Sequence, residues 1–475
     1  MLFPDSDCTL DSTCGLLINK MPSTILENFI TLYPLIEFIH FHWVDLSGIH
    51  KSRVISRSRA LKLASGGMPQ EIGHGSSLGM CYSELPHGSW IPAGVDSLYP
   101  VWSSLRMMGE NWCSVICCSS EESALIAPDL STHDGFRVLK FERCPRSVLK
   151  KIITHIKEEL FVTFLVGFEL EFYLLDDEKC HRGDPNECIP VITNTTYNST
   201  ALGLRGSRGA CVEECARKLQ AFGIEVEQYH AESGPYQFEI ATGPLPPLEA
   251  VDTLIQSQEI IRRIAINHGL RACFLPKPFR QYRATGLHAH LSLYSDAIAG
   301  NKYQDSFLAG VLSRLPQICA FSMASQQSYL RVEPRELGMW VSWGNSNRDT
   351  PIRRVSHNRF EFRAMDATSN PYLAIAAYIS AGILGMEMEQ ELTWKDCKYF
   401  LDELTDDERE ALGILVQVPG SLKEALDTLD QNTCGLERKL GAEMVHLYRF
   451  AKRRELAKLD KLGEANIQAL YLTYF

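Results

Sequence analysis

The chain has 475 residues, of which 45% are hydrophobic and 22% charged, so it can bury a large core and has room for two or three domains. Its formal charge of −11 is spread along the sequence, without a lysine or arginine run that would follow a phosphate backbone, which argues against nucleic acid as a partner. No stretch approaches the roughly 20 uncharged apolar residues that cross a bilayer, so we expect no membrane partner.

The start of the chain and its cysteines both indicate a cytoplasmic protein. The first residues, MLFPDSDC, contain acid where a secretory leader has a basic segment. The 15 cysteines form no CxxC pair and no regular framework, which favours reduced thiols over disulfides.

Residues 25–140 are predicted to form a small β-rich N-terminal domain. Residues 24–60 begin with a helix-like segment and continue into alternating apolar positions around an Asp-Leu-Ser-Gly turn, the pattern of a β-hairpin. The Gly-, Pro- and Ser-rich run 66–100 predicts exposed loops, and residues 104–120 predict two further strands. We place the domain boundary near residue 140.

Residues 141–475 are predicted to form the second domain. PRSVLKKIITHIKEEL (145–160) is an amphipathic helix, the stretch from Tyr378 onward is rich in helix, and TDDEREALGILVQ begins at a Thr405 cap followed by acids. The glycine-rich GLRGSRGA (203–210) matches no phosphate-binding motif, so we interpret it as a connecting loop. Several short strands lie between these segments.

Two glutamates share one face of a predicted strand. In GFELEFYLL (167–175), Glu169 and Glu171 are two residues apart, so both project from one face while apolar residues fill the other. If that face is solvated, this is an edge strand with a wet side. If it lines a cavity, metal ions or cationic side chains are needed to keep both groups ionised.

Three further segments repeat this arrangement of polar residues on one face. Their residues are Glu232 and Glu239 around a Gly-Pro turn, His288 and His290 in one strand, and Arg359, Glu361 and Arg363 in another. Four such segments together predict one polar cavity that binds metal. Glutamate-rich ligation with one imidazole favours Mg²⁺ or Mn²⁺ over a structural zinc. For His290 we favour a hydrogen-bonded position in the core or beside a ligand.

Six arginines lie close together in sequence, next to the last of these strands. They are Arg331, Arg348, Arg353, Arg354, Arg359 and Arg363. An arginine run is ordinarily a solvated face, but here turn residues place the arginines beside the predicted metal site. Phosphoryl transfer needs cations in this arrangement, to hold a polyphosphate and to neutralise the charge that develops on the transferred group.

These motifs, in this order, resemble the glutamine synthetase family, class I type, and more narrowly the glutamine synthetase-like region of fungal FluG proteins. The resemblance covers about residues 35–390 and includes FLPKPF (274–279) and NPYLAIAA (370–377). It implies an α+β fold with a small β-grasp-like N-terminal domain, a catalytic domain whose antiparallel sheet lines the active site, and a helical C-terminal part. It also implies a ring homo-oligomer, often a dodecamer of two stacked hexamers, with active sites between neighbours.

The resemblance also implies roles for individual residues. The implied metal ligands are Glu171, Glu232 and Glu239 for one ion and Glu169, His288 and Glu361 for the second. The implied binding residues are Ser292, Arg348 and Arg353 for ATP, Arg331 and Glu232 for the acid, and Arg363 for the transferred phosphate, with Arg348 and Arg363 also catalytic. In the implied mechanism a carboxylate attacks the γ-phosphate of ATP, and an amine then displaces phosphate from the acyl phosphate to leave an amide. Such a reaction needs positioning and charge neutralisation but no protein nucleophile.

The substrate positions depart from the family pattern. Arg283 and Ala284 occupy the place of the usual Asn-Gly, which helps to hold the amino-acid end of glutamate, so we expect Arg283 to contact the substrate. The flap RVEPREL (331–337) is about one residue short, and Glu336 is its candidate for the glutamate that closes over ammonium. Asp96 is the candidate for the acid that a neighbouring subunit supplies to help deprotonate ammonium.

Intact metal and ATP positions beside altered substrate positions favour a ligase that joins glutamate or a related acid to an amine other than ammonia. A true glutamine synthetase, which uses ammonia, is the second hypothesis. The third is a non-catalytic structural or signalling homologue. The retention of all six implied metal ligands argues against the third, because a protein without catalysis has no need for clustered, mutually repelling carboxylates.

Overall fold

The computed structural model describes residues 21–79, 95–123, 138–178, 199–295, 302–431 and 435–475. The strands are β1 Phe38–Val44, β2 His50–Ser56, β3 Gln70–Gly73, β4 Val95–Pro100, β5 Arg106–Met107, β6 Trp112–Ser123, β7 Val138–Lys140, β8 Val162–Asp176, β9 Val226–Ala231, β10 Gln237–Thr242, β11 Leu270–Cys273, β12 Leu287–Ser295, β13 Trp343–Asn345, β14 Ile352–Ser356 and β15 Arg359–Phe362.

The helices of the described residues complete an α+β fold. They are α1 Met21–Leu32, α2 Arg57–Ala64, α3 Gly75–Leu78, α4 Pro145–Leu160, α5 Ser207–Ala221, α6 Pro247–Asn267, α7 Lys302–Ser322, α8 Pro371–Glu387, α9 Asp406–Ala411, α10 Leu422–Gln431, α11 Leu436–Leu440, α12 Ala442–Leu459 and α13 Glu464–Tyr474. The predicted fold class, including the helical C-terminal part, is confirmed.

The first sheet contains β1 to β7, in the order β2-β1-β6-β4-β3, with β5 and β7 also paired to β6. β1 and β2 form the predicted antiparallel hairpin, and β1 runs parallel to β6. Asp45 closes the hairpin turn, because its Oδ1 accepts the backbone N–H groups of Ser47 and Ile49, each at 2.9 Å. The short carboxylate thus replaces backbone partners that the turn cannot supply.

The prediction of exposed loops for residues 66–100 is wrong at β3 and β4. These strands pair antiparallel, with Glu71 opposite Ser97. Within β3 only Ile72 is buried. A short, polar edge strand has no alternating apolar pattern by which the sequence could reveal it. The rest of the run, residues 80–94, lies outside the described residues.

The second sheet has eight strands and supports the site. Its order is β13-β14-β15-β12-β8-β10-β9, with β11 also paired to β8. All pairs are antiparallel except β13 with β14. β8 is the central strand, and its apolar residues Phe168, Leu170 and Phe172 are buried in the main core, where α6 packs against the strand. The sheet is therefore apolar on its helix side, which leaves its other side for the polar residues.

Asn370 ties the start of α8 to the first sheet. Its side chain accepts the N–H of Leu373 as the helix cap, and its Nδ2 donates to the carbonyls of Val44 and Asp45, at 3.3 and 3.0 Å. Pro371 follows at the first helical position, where a missing N–H costs nothing. One amide side chain therefore joins the long buried helix to the hairpin of the N-terminal sheet.

Two local predictions in the second domain have different outcomes. The Thr405 cap of α9 is confirmed, because its hydroxyl accepts the N–H of Glu408 and the Glu408 side chain accepts the N–H of Thr405. The loop interpretation of residues 203–210 is wrong from Ser207, where α5 begins. A Cβ on Gly209 would lie 2.0 Å from the Leu204 carbonyl oxygen, so the glycine permits the tight approach of turn and helix.

Neither membrane-crossing helices nor disulfides occur among the residues that the structure describes. No described helix combines the length and the apolarity that crossing a bilayer needs. None of the cysteines within the described ranges forms a disulfide.

Candidate active site

The registers of four neighbouring strands bring the predicted ligands together. Between β8 and β12, Glu169 is opposite His288, and between β8 and β10, Glu171 is opposite Glu239. Between β12 and β15, His290 is opposite Glu361. Since directly opposed residues of paired strands point to the same face of a sheet, these side chains meet on one side of it.

One cluster of ligand atoms consists of Glu169, His290 and Glu361, whose candidate donor atoms all lie within 4.8 Å of one another. His290 Nε2 is 2.8 Å from Glu169 Oε1, which agrees with the hydrogen-bonded position expected for this histidine. His288 Nδ1 lies 3.1 Å from Glu169, 3.5 Å from Glu361 and 3.6 Å from Glu171. Both histidines therefore border the same carboxylates, and the structure adds His290 to the implied set.

The second cluster consists of His230, Glu232 and Glu239, again within 4.8 Å. His230 Nε2 is 3.3 Å from Glu239 Oε1, and its Nδ1 is 3.9 Å from Glu232. His230 was not among the predicted residues, although its spacing of two residues from Glu232 is the same signal that identified the other strands. Glu171 lies nearby, where its Oε2 accepts the N–H of Gly286 at 2.9 Å.

Burial and mutual repulsion perturb these carboxylates. Burial, with the negative charges of Glu232 and Glu239, raises the pKa of Glu171 to about 7, against the opposing effect of His288. Burial also raises the pKa of Glu239. The hydrogen bond that His230 donates to Glu239 raises the pKa of His230 to about 9. Carboxylates crowded in this way bind protons or histidine cations for lack of other positive charge.

The donor set fits divalent metal ions. Burial opposes ionisation of Glu169, yet hydrogen bonds from His288 and His290 keep its pKa well below the usual range, so the site stabilises an anion there. Carboxylate oxygens with few imidazoles suit Mg²⁺ or Mn²⁺, which would supply the positive charge that these carboxylates share. The residues that would hold the ions are the two clusters together with His288 and Glu171.

A cavity of about 680 Å³ opens over this face of the sheet. The predicted site residues that line it are Glu171, Glu232, Arg283, His288, Arg331, Glu336, Arg348 and Arg363. Glu169, Glu239 and Glu361 belong to the clusters beneath it. The cavity therefore joins the predicted metal face to the predicted substrate residues.

Some arginines of the predicted run lie at the site, and others lie outside it. Arg363 Nε is 3.5 Å from Glu361, and Arg353 forms a short ion pair with the same carboxylate. Arg331 is buried and donates to the backbone carbonyls of Met365 and Arg363, at 2.9 and 3.0 Å. Its position is thus fixed by the backbone at the cavity wall.

Two arginines of the predicted run, Arg354 and Arg359, neither contact a described residue of the metal clusters nor line the cavity. Arg354 instead bonds Asp305 at 3.0 Å and packs over the Trp343 ring. Arg359 is directly opposite Ser292 in the register of β12 and β15. Ser292, the implied nucleotide residue, is four positions beyond His288 along β12, on the same side of the sheet.

The candidate flap glutamate is bound to the chain's own cations. Glu336 Oε1 lies 3.3 Å from Lys277 Nζ and 3.5 Å from Arg283 Nη1, and its Oε2 accepts the N–H of Ala284 at 3.3 Å. Lys277 is buried, with 6% of its side chain exposed. Lys277 was not among the predicted residues, because its partner is 59 positions away and no local spacing connects the two.

Asp96 lies outside the set of residues that line the cavity. It is buried in the first sheet, where His74 Nδ1 is 2.9 Å from its Oδ1 and the Ser77 hydroxyl donates to its Oδ2. Within a single chain Asp96 therefore acts as a partner of His74 and Ser77.

The mixed fold, the two carboxylate clusters with adjacent arginines and the polar cavity agree with the fold and site arrangement that the sequence resemblance implies. The chain belongs to the glutamine synthetase family, since residues 142–468 match the family model described as the glutamine synthetase catalytic domain.

Individual relatives agree with this membership. The FluG protein of Emericella nidulans is 37% identical over 325 residues, which are 68% of this chain and 37% of FluG. The gamma-glutamylpolyamine synthetase GlnA3 of Streptomyces coelicolor is 31% identical over 264 residues, 51% of this chain and 55% of that protein. The chain therefore spans only part of both proteins.

A solved structure shares the fold. The chain of a GmaS/ADP complex superposes with a TM-score of 0.73 at 22% identity, covering 92% of this chain and 97% of that chain. At this identity the superposition establishes the fold alone.

Proposed function

We propose that this protein uses ATP and Mg²⁺ or Mn²⁺ to join glutamate or a related acid to an amine other than ammonia. The observation that most favours this function is the state of Glu336, which faces Lys277 and Arg283 at 3.3 and 3.5 Å. A carboxylate already paired with two cations is a poor site for an ammonium ion, whereas the metal face beside it retains every implied ligand. The similarity to a gamma-glutamylpolyamine synthetase supports an amine of this kind.

The chain's residues would divide the work of an acyl-phosphate mechanism. The two clusters would hold the metal ions, which supply charge neutralisation for the ATP phosphates. Arg363 and Arg348, at the cavity wall, would stabilise the charge on the γ-phosphoryl group as the substrate carboxylate attacks it and ADP leaves. Arg353 and Ser292 would hold the nucleotide. Arg331, fixed by backbone carbonyls, would position the acid.

The second step forms the amide bond. The amine nitrogen attacks the acyl carbon, phosphate leaves, and the nitrogen gives up one proton. Glu232 lines the cavity at partial exposure, and among the described residues its hydrogen-bond donor is Ser233 in its own turn, so we assign it to the incoming amine. An alkylamine arrives protonated, so it loses one proton before it attacks and a second as the amide forms; Glu232 would accept the first, because Glu336 is already paired with Lys277 and Arg283.

We also propose the domain boundaries, the oligomeric state and the cellular location of the enzyme. The sequence pattern supports the division into residues 25–140 and 141–475, the acidic start and the cysteine spacing support a cytoplasmic location, and the family resemblance supports a ring homo-oligomer with sites between neighbours. In such a ring the segment around Asp96 would face a neighbour's cavity. True glutamine synthesis is the second candidate, because the implied ATP and metal positions serve both reactions equally.

The test is release of phosphate from ATP by the purified protein, over a panel of carboxylic acids crossed with ammonia, polyamines, alkylamines and amino acids. We expect release that requires one acid, one organic amine and a divalent metal, with the amide product identified by mass spectrometry. Arg280→Gln is the matched control, because this residue is exposed and ion-paired to Glu464 away from the cavity. Equal or faster release with ammonia would establish glutamine synthesis, and no release with any pair would leave the non-catalytic homologue.

A further inference from the structure

The acids that line the cavity are all engaged by groups of the protein. Among the described residues of the cavity wall these acids are Glu171, Glu232, Glu336 and Asp349. Glu171 accepts from Gly286 and from Gln237 at 2.9 and 3.2 Å. Asp349 accepts the backbone N–H groups of Arg335 and Leu401 at 3.0 and 2.9 Å. Glu232 accepts from Ser233 and belongs to a metal cluster.

The cations of the same wall are only partly balanced by acids, since Arg331 and Arg363 are paired with Asp366 and Glu361. Arg335 is neutralised by Glu403 at 2.6 Å and Asp402 at 3.6 Å. Arg348 and Lys398, by contrast, have neither a hydrogen bond nor an ion pair with any residue that the structure describes. Glu336 provides one negative charge between the two positive charges of Lys277 and Arg283. This part of the cavity therefore has an excess of positive charge.

Arg283 is the cation of this group that is best placed to meet a ligand. Its backbone is held, because its carbonyl accepts the Tyr173 hydroxyl at 2.7 Å and the next carbonyl, that of Ala284, accepts Gln237 Nε2 at 2.8 Å. Its side chain is 46% exposed and donates one N–H to the Arg335 carbonyl at 3.0 Å. A guanidinium has five N–H donors, so most of them still point into the cavity or to solvent.

The excess positive charge near Arg283 would bind a carboxylate group of a substrate better than an ammonium group. A carboxylate would gain charge-assisted, bidentate hydrogen bonds from Arg283 and would balance the excess charge. An ammonium group at this end would meet Arg283, whose nearest carboxylate, Glu336, is already paired with Lys277, and the nearest backbone carbonyls already accept hydrogen bonds. The arrangement therefore favours an acid whose far end is anionic.

We infer that the acid substrate is a dicarboxylic acid without an α-ammonium group, and that Arg283 binds its second carboxylate. This inference rests on the proposed ligase function and narrows its "related acid" to a chemical class. It makes Arg283 a specificity-determining residue that acts on the end of the acid distant from the reacting carboxylate.

The test compares acids of equal length with the wild-type enzyme, at one saturating amine and saturating ATP. The acids are glutarate, glutamate, 5-aminopentanoate and pentanoate. We expect glutarate to have the highest kcat/KM, glutamate to be lower, and the two acids without a second carboxylate to be lowest. Arg283→Gln is expected to raise the KM for glutarate by roughly ten- to a hundredfold while the KM for ATP is unchanged. Arg283→Glu is expected to favour glutamate over glutarate.

The outcomes separate this inference from the proposed function. Turnover with glutamate as the best acid, unaltered by Arg283→Gln, would overturn the inference and leave the ligase function intact. The absence of turnover with every acid and amine would overturn the proposed function instead. In that case, isothermal titration of the wild type with each acid, in the presence of ATP and Mg²⁺, still tests the inference. Tighter binding of glutarate than of glutamate would support it. Glutarate binding that is equal to that of glutamate, weaker, or undetectable would refute it.

Discussion

Gly286→Ala is a single-methyl test of the metal face. Gly286 precedes β12, donates its N–H to Glu171, and has no positive φ, so its backbone accepts alanine. A Cβ at this position would lie 2.4 Å from His288 Nε2 and 3.1 Å from Glu171 Oε1. Ordinary contact begins near 3.4 Å, so the His288 ring must move by about 1 Å or rotate. Its Nδ1 would then leave the three carboxylates that it now borders.

The magnitude follows from the displacement. A misplacement of about 1 Å in a catalytic constellation costs about a hundredfold in rate, and an extra methyl in a packed region costs about 1–3 kcal/mol of stability. We therefore expect kcat of the phosphate-releasing reaction to fall about a hundredfold and half-saturation by Mn²⁺ to rise, while the folded state persists. Because the folded state persists, the loss of stability cannot by itself account for the expected fall in kcat.

The assays are phosphate release over a Mn²⁺ titration, and unfolding by urea for the same samples. Gly463→Ala is the matched control, since Gly463 has a φ of −68° and nothing lies within 4 Å of the position that the added methyl group would take. Wild-type kcat and Mn²⁺ dependence in Gly286→Ala, with the substitution verified, would refute the assignment of His288 and Glu171 to the metal face.

Two further predictions concern charge. Glu361→Gln should lower turnover at least a hundredfold and reduce the stabilisation by Mn²⁺ in thermal unfolding, because it removes one anion from the cluster with Glu169 and His290. Unchanged stabilisation would contradict the ligand role. Burial lowers the pKa of His42 from 6.5 to about 4, so His42 stays neutral in the folded protein and its contribution to stability, up to about 3 kcal/mol, is lost as pH falls from 6.5 towards 4. In His42→Gln, the free energy of unfolding measured with urea should therefore depend less on pH between 6.5 and 4 than in the wild type. The same pH dependence in both proteins would contradict this role of His42.

The alternation of residues along a strand predicts which side chains of the site lie on the same face of that strand. Alternation alone placed Glu169 with Glu171, and His288 with His290, because side chains two residues apart point to one side of a strand. It could not supply the registers that put Glu171 opposite Glu239 and His290 opposite Glu361. Those pairings depend on the order of strands in the folded sheet, which spacing along the chain does not encode.

Contacts over long sequence distances account for most of what the sequence did not reveal. The Lys277 and Glu336 pair joins two segments that look unrelated in sequence, and only the fold brings the lysine under the flap. β3 was missed because its residues are mostly polar, and the start of α5 because glycines near Gly206 resemble a loop. Hydrophobic periodicity cannot identify elements that bury so little on their own.

The most direct test of the account follows the oxygen atoms of the acid. The acid that supports turnover is labelled with ¹⁸O in its reacting carboxylate and incubated with ATP, metal and the amine. An acyl-phosphate mechanism predicts that one ¹⁸O per turnover appears in the released phosphate, because the carboxylate oxygen that attacks phosphorus leaves with it. Unlabelled phosphate would show that water or another group attacks ATP, and would contradict the assignment of this cavity to carboxylate–amine ligation.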